Sequence, residues 1–269
     1  MDIHLTWISN LKQHNYLAYS VCFKSLFEQQ SHYPSVILTN DLDVEYQKKF
    51  VDLGCLIVNS EHLRLPFKMD IIIRDRWLAY WQFIDPTQHE YVVITDSRDV
   101  IFQRDPVEYC RSVAKDKIVL CCEGFPHSAS PFNLCDQIEA QRNISDFDMP
   151  FTDWPVMNAG VVAGPAAAMK QLCFTMWSNC IRCHAKCTDQ AVFNYLCHYF
   201  REDHFAFHVA DPNTDPWCVT GEAVKENLMN IEVVYQNGKL LAQGLTPYFI
   251  FHQWDRTKYD EAILRKYSD

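Results

Sequence analysis

The sequence predicts an α/β fold with a mostly parallel central sheet flanked by helices, and three observations support this prediction. Apolar runs typical of buried strands alternate with stretches of helical spacing through the first hundred residues. Most successive strands are separated by one helix-like segment, which favours right-handed crossovers between parallel strands. The 269 residues are 48% hydrophobic and 14% aromatic, which is sufficient for a sizeable core. The C-terminal half adds a smaller antiparallel portion.

The elements of the first half follow from these patterns in order. Strands are predicted over 3–8, 35–39, 55–58 and 91–95, and helices over 16–29, 44–53 and 70–84. Asn40-Asp41 is a turn signal after the second strand, and Gly54 ends the second helix. Asp85-Pro86 ends the third helix, because proline cannot continue it.

The second half contains fewer regular patterns. Strands are predicted over 117–122, 156–164 and 248–251, and helices over 189–200 and 259–267. Pro165 is expected to begin a further helix, at the position where a helix tolerates proline. Thr188 is a plausible N-cap for the helix at 189–200.

Two segments of the second half predict turns and loops. Asn237-Gly238 indicates a tight two-residue turn between hairpin strands at 232–236 and 239–243. The prolines within 124–155 indicate a long loop with a short helix near 136–142, and long loops inside a domain are often functional. No repeat or linker interrupts the chain, so we expect a single domain.

Charge and hydropathy exclude several function classes. The formal net charge of −10 argues against a nucleic-acid partner, since such proteins usually carry a basic face. No run of 18 apolar residues occurs, so no transmembrane segment is expected. The first residues lack the pattern of a secretory signal, and we therefore expect a cytoplasmic protein whose 12 cysteines are thiols.

The most informative segment is the acidic pair that follows the predicted strand 91–95. Asp96 and Asp99 fall where this strand leaves the sheet, and ligands of open α/β sheets bind beyond the carboxyl ends of strands. Two carboxylates repel each other unless a cation or a proton joins them. A hard divalent metal that holds a phosphate is the simplest solution. The alternative is a turn in which the aspartates cap the backbone and Arg98 pairs with one of them.

Three further positions carry polar groups that suit a ligand site. His252 follows the apolar segment 248–251, and an imidazole beside carboxylates favours Mn²⁺ over Mg²⁺. Asn158-Ala159-Gly160 would allow close approach of a ligand to the backbone, or would form a turn at the entry to a strand. Asp189 and Gln190 would either offset a helix dipole or face the same crevice and hold a polyhydroxylated ligand.

In this order the motifs resemble those of nucleotide-sugar-dependent glycosyltransferases of the GT-A fold. The resemblance spans about residues 3–256 and has four parts, which are SRDVIF at 97–102, NAGVVAG at 158–164, DQAVFN at 189–194, and His252. It implies transfer of a sugar from a nucleoside-diphosphate sugar, such as a UDP-sugar, to a glycan or other hydroxyl acceptor. Within the single domain 1–269, it implies a nucleotide-binding half at 1–100 and an acceptor-binding half at 101–269.

The resemblance also assigns roles to single residues. Asp99 and His252 would hold the divalent metal, Mn²⁺ or alternatively Mg²⁺. Donor contacts would come from Thr6, Ser9, Asn40, Arg76, Asp96, Ser97, Asn158, Ala159, Gly160 and Arg256, with Arg74 as the alternative to Arg76. Ser97 stands where the family has its first acid, so Asp96 would hold the donor or orient Arg98. Asp189 would be the base if the reaction inverts configuration, and Gln190 would lie near the anomeric carbon if configuration is retained.

Other interpretations of these patterns stay open. The same fold could serve as a binding module that holds a nucleotide or glycan without turnover. A nucleotidyltransferase would normally have a glycine-rich basic loop near its N-terminus, and the segment 6–10 is neither. Cys180-Ile181-Arg182-Cys183-His184 has the spacing of a haem attachment motif, and with Cys187 it could bind zinc or simply pack as a helix face.

Overall fold

The computed structural model describes residues 1–9, 11, 15–29, 32–59, 72–143, 151–182, 189–199, 204–230, 232–242 and 246–268. The strands are β1 Ile3–Trp7, β2 Ser35–Thr39, β3 Leu56–Asn59, β4 Tyr91–Thr95, β5 Val100–Phe102, β6 Ile118–Pro126, β7 Pro155–Pro165, β8 Phe207–Ala210, β9 Cys218–Thr220, β10 Val233–Gln236, β11 Lys239–Ala242, β12 Thr246–Pro247 and β13 Ile250–His252. The helices are α1 Tyr16–Gln29, α2 Val44–Asp52, α3 Ile72–Phe83, α4 Pro106–Tyr109, α5 Pro131–Asn143, α6 Ala166–Arg182, α7 Asp189–Tyr199, α8 Gly221–Lys225 and α9 Asp260–Tyr267.

The central sheet confirms the predicted architecture. Its strand order is β3-β2-β1-β4-β7-β6-β8. β7 runs antiparallel to both of its neighbours, and the other pairs in the sheet are parallel. Apolar residues fill both faces, because helices cover a sheet of this type on each side. The carboxyl end of β4 therefore lies in the middle of the sheet, where a ligand crevice is expected.

Two smaller sheets lie outside the central one. β13 pairs antiparallel with β5 and parallel with β9, and His252 lies opposite both Val100 and Thr220. β10, β11 and β12 form the predicted antiparallel portion, with Asn237 and Gly238 at the hairpin turn. The first of these sheets matters for the site, because it brings the C-terminal part of the chain against the acidic segment that follows β4.

Several boundaries in the second half differ from the prediction. Pro165 ends β7 and does not begin a helix, and α6 starts at the next residue, Ala166. The segment 124–155 contains the end of β6 and the short helix expected near 136–142, which is α5 and is longer than predicted, because it begins at Pro131, a position where a helix tolerates proline. Asn158-Ala159-Gly160 lies inside β7, so the turn at a strand entry was wrong.

Some expectations concern residues outside the described ranges, namely Thr188 as an N-cap and the Cys183, His184 and Cys187 part of the cysteine motif. Ten cysteines lie among the described residues, and none of these ten forms a disulfide. None of the described helices combines the length and the apolar character that crossing a bilayer requires.

Candidate active site

The acidic pair lies where the central sheet passes into the small sheet of β5, β13 and β9. β4 ends at Thr95, and the amide of Asp96 donates to the carbonyl of Gly160 at 2.7 Å. β5 begins one residue after Asp99, whose carbonyl accepts a hydrogen bond from the amide of Gln253 at 2.6 Å. The backbone on both sides of the pair is thereby fixed, and Asp99 is almost fully buried.

The structure brings together the two residues that were predicted as metal ligands, and it adds a third. Nε2 of His252 lies 3.5 Å from Oδ1 of Asp99 and 3.4 Å from Oδ2 of Asp96. One ligand atom from each of the three residues lies within 4.8 Å of the others. We call Asp96, Asp99 and His252 the metal cluster, because two carboxylates and an imidazole form a suitable donor set for a divalent cation.

The electrostatics of the metal cluster favour a positive charge at its centre. Burial opposes charge on His252, but the carboxylates of Asp99 and Asp96 outweigh it and raise the imidazole pKa to about 10. Burial also opposes ionisation of Asp96, yet Arg76 and His252 together lower the pKa of this carboxyl group. Nδ1 of His252 is buried and has no hydrogen-bond partner within the described part of the chain.

Gly160 is the residue of β7 that allows this close approach. A Cβ atom at this position would lie 2.4 Å from Cε1 of His252 and 2.6 Å from Oδ2 of Asp96. These distances are shorter than any van der Waals contact, so only glycine fits while the metal cluster keeps its geometry. The glycine of the segment 158–160 therefore has a steric role at the metal cluster.

Arg76 of α3 connects the metal cluster to α7. Its Nη1 donates to Oδ1 of Asp96 at 2.7 Å, and its Nε donates to Oδ2 of Asp189 at 3.0 Å. The indole of Trp77 donates to the same Asp189 oxygen at 2.9 Å. Burial opposes the charge of Arg76, but the two carboxylates outweigh it and raise the pKa of the guanidinium group further. Arg76 is thus committed to two acids of the protein.

Side chains of α7 complete the hydrogen bonding of β7. Oε1 of Gln190 accepts from the amide of Ala159 at 2.8 Å, and its Nε2 donates to the carbonyl of Met157 at 2.9 Å. Asn194, one helical turn further on, accepts from the amide of Met157 at 2.7 Å. The spacing of four residues is explained by these bonds, since it places both side-chain amides on the helix face that packs against β7.

Sequence reasoning missed Glu123, which lies on β6. Its Oε1 accepts from Nδ2 of Asn158 at 2.7 Å, and its Oε2 has no partner among the described residues. Burial raises the pKa of Glu123 to about 7, and the carboxylate of Glu222 contributes to this rise. The signal in the sequence was an acid directly after the apolar run 118–122, where a charged residue needs an explanation.

A cleft of about 500 Å³ unites these groups. Its lining comprises Arg76, Asp96, Asp99, Glu123, Phe132, Asn133, Asn158, Ala159, Gly160, Asp189, Gln190, Glu222, His252, Gln253 and Arg256. Nη1 of Arg256, a predicted donor contact, lies 4.0 Å from Oε2 of Glu222. The cleft therefore contains both predicted metal ligands, both predicted catalytic residues and most of the predicted donor contacts, whose chemical roles stay predictions.

Four predicted donor contacts are not part of the cleft lining. The side chain of Thr6 is fully buried, and its hydroxyl donates to the carbonyl of Thr95 at 2.8 Å, so it is committed to the sheet and does not face the cleft. Ser97 is also buried. Ser9 is half-buried after β1, and Asn40 is exposed after β2. Contacts between these residues and a donor stay predictions.

The sheet order and the polar cleft at the carboxyl end of β4 agree with the GT-A fold that the motifs predicted. Solved structures confirm this fold. All of the chain aligns with 95% of an active-site mutant of LgtC, at 12% identity and a TM-score of 0.62. It also aligns with 97% of the galactosyltransferase LgtC in complex with donor and acceptor sugar analogues, at 13% identity and a TM-score of 0.58.

A third structure with this fold is the apo form of WbbM, a bifunctional glycosyltransferase. The chain aligns with 52% of it, at 11% identity and a TM-score of 0.53. No family model matches the sequence, and a search among curated proteins finds no match. At such low identities the likeness establishes the fold, and the activity has to be argued from the site.

Proposed function

We propose that the protein transfers a sugar from a nucleoside-diphosphate sugar, such as a UDP-sugar, to a hydroxyl acceptor with the help of Mn²⁺ or Mg²⁺. The observation that carries this proposal is the metal cluster, in which residues more than 150 positions apart converge on one side of a polar cleft. Three protein ligands leave a divalent cation with open positions that diphosphate oxygens can fill. The GT-A-type fold supports the same reaction class.

The residues around the metal cluster fit the demands of this reaction. The bound metal would act as a Lewis acid for the charge that develops on the leaving diphosphate. Asp99 and His252 would hold it together with Asp96, which the sequence had assigned to the donor. Arg256 borders the cleft and would donate to the diphosphate oxygens.

The two predicted catalytic residues, Asp189 and Gln190, suit two different roles. Oδ2 of Asp189 already accepts hydrogen bonds from Arg76 and Trp77, so this carboxylate suits a fixed electrostatic role better than that of a base. We therefore favour retention of configuration, with Gln190 near the anomeric carbon. A glutamine-to-glutamate change in LgtC is described as an active-site mutation, which agrees with a functional role for a glutamine in this fold.

The proposal is tested by calorimetric titration with UDP in the presence of Mn²⁺, followed by measurement of UDP release from a panel of UDP-sugars. Both binding and release are expected. Asp99→Asn should weaken the binding of UDP with Mn²⁺ by about tenfold or more, because it removes a charged ligand of the metal. Asp255→Asn is the matched control, since Asp255 lies next to Arg98 but outside the metal cluster.

Three outcomes can be distinguished. Binding with release supports a transferase that hydrolyses its donor slowly without an acceptor. Binding without release from any sugar nucleotide would favour the binding module that the sequence left open. If UDP does not bind with Mn²⁺, or binds equally well to Asp99→Asn, the assignment of the donor site is wrong.

A further inference from the structure

The cleft is lined by more acidic than basic side chains, and binding of a metal and a donor would not remove this excess of negative charge. Five carboxyl groups border the cleft, against two arginines and one histidine. Asp96 and Asp99 belong to the metal cluster, and Arg76 pairs with Asp189. A divalent metal and a diphosphate largely neutralise each other, so donor binding does not remove the surplus. Glu123 and Glu222 are the two acids that remain.

Glu123 is a buried acid, and one of its carboxylate oxygens lacks a hydrogen-bond partner among the described residues. Only 2% of it is exposed, and its Oε1 is fixed by the side chain of Asn158. Its Oε2 has no hydrogen-bond partner in the described ranges, although the residue borders the cleft. A buried carboxylate oxygen without a partner is costly, and a cationic ligand would remove that cost.

Glu222 of α8 lies on the same cleft and is only partly compensated. Its Oε1 accepts from the hydroxyl of Ser130 at 2.7 Å, and its Oε2 has the distant contact with Arg256 at 4.0 Å. If Arg256 donates to the diphosphate, as proposed above, Glu222 loses this cation. Phe132, which is 62% exposed, borders the cleft as well and offers an aromatic face. Alkylammonium groups bind well to such a combination of acids and an aromatic ring.

We propose that the acceptor carries a protonated amine that binds at Glu123 and Glu222 beside Phe132, an inference that rests on the proposed sugar transfer. The amine serves recognition only and forms no covalent bond, because the sugar is transferred to a hydroxyl group of the same molecule. The acceptor class is therefore an amino sugar or another amine-bearing alcohol. Anionic acceptors such as uronates are disfavoured, since they would meet two carboxylates in the cleft.

The test uses three sugars that differ only at carbon 6, which are glucose, 6-amino-6-deoxyglucose and glucuronate, with the galactose series in parallel. Their binding to the full chain is measured by calorimetry in the presence of Mn²⁺ and UDP. In at least one series the amine should bind about tenfold or more tightly than the neutral sugar, and the uronate should bind most weakly. Glu123→Gln and Glu222→Gln should each remove this preference.

Glu261→Gln, a change at an exposed residue of α9, is the control and should keep the preference. Equal binding of the three sugars, a preference for the uronate, or no detectable binding of either amine would overturn the inference. An unchanged preference in both cleft variants would also overturn it. Failure of the proposed function is recognised separately, because it appears in the binding of UDP with Mn²⁺ and not in the ranking of the three sugars.

Discussion

Replacement of Glu123 by glutamine should make the folded state less sensitive to pH. Burial raises the pKa of Glu123 from 4.5 to about 7, so the folded chain holds this proton more tightly than the unfolded chain. The stabilising contribution is fully present below pH 4.5 and is lost as the pH rises through about 7. At about 1.4 kcal/mol for each pH unit, this rise corresponds to about 3 kcal/mol. Glutamine carries no charge, and its Oε1 can still accept from Asn158.

The measurement is the free energy of unfolding in urea for both proteins, at about pH 5 and at about pH 8. The free energy of the variant minus that of the original should increase between these pH values by up to about 3 kcal/mol. Using this difference cancels the groups that behave identically in both proteins. Glu222, His252 and Arg256 interact electrostatically with Glu123, so their interactions with it are part of the measured effect. Glu261→Gln, at an exposed position, should show no such increase.

A constant difference across this pH range would refute the reasoning. It would mean that Glu123 ionises in the folded chain as easily as in the unfolded chain, and therefore that its Oε2 finds a partner. A difference that moves in the opposite direction would mean that the carboxylate is stabilised by a cation in the folded protein. In either case Glu123 could not serve as the unpartnered acid of the cleft.

Two further substitutions test the framework of the site. Gly160→Ala should weaken Mn²⁺ binding by about tenfold or more in calorimetric titration, because its Cβ would lie 2.4 Å from the His252 ring. Gly54→Ala is the control, because it also strains the backbone, at a φ of 102°. It should leave Mn²⁺ binding unchanged. An equal loss of Mn²⁺ affinity in both glycine variants would contradict the steric argument. Arg76→Ala should lower the free energy of unfolding by about 3–5 kcal/mol, since it leaves two acids uncompensated. Arg265→Ala is the control, which removes an exposed ion pair and should change the free energy of unfolding little. Similar losses of stability in the two variants would show that Arg76 contributes no more than a surface charge.

The fold was predictable from the sequence wherever the apolar residues of a segment follow one clear periodicity, either that of a helix or that of a strand. The first four strands and the three helices between them alternate in apolar pattern, and all appear within two residues of the expected places where the structure describes them. Prediction was less accurate near two prolines, because the helix expected at Pro165 begins one residue later and Pro131 begins a helix that is longer than the short one expected near 136–142. Pro131 lies in the first turn of a helix and Pro165 lies at the end of a strand, and proline is compatible with both places.

The candidate site was predictable only in part, because pairing between distant strands decides which side chains meet. The order of motifs pointed to Asp99 and His252, and the register of β13 on β5 places them together. The register between β13 and β5 could not be deduced from the sequence, and for this reason Asp96 was not predicted as a metal ligand. Glu123 was missed for a related reason, since its importance depends on the approach of α8 to the end of β6.

The two sides of the cleft are physically connected, and this connection limits how the site can be dissected. Oε1 of Glu123 accepts from Nδ2 of Asn158, and Oδ1 of Asn158 accepts from the amide of Gly160. The carbonyl of Gly160 in turn accepts from the amide of Asp96, which belongs to the metal cluster. A substitution that breaks the first of these bonds would therefore disturb the metal cluster as well. Glutamine at position 123 keeps an oxygen for Asn158, so its effects on amine binding can be separated from effects on the metal.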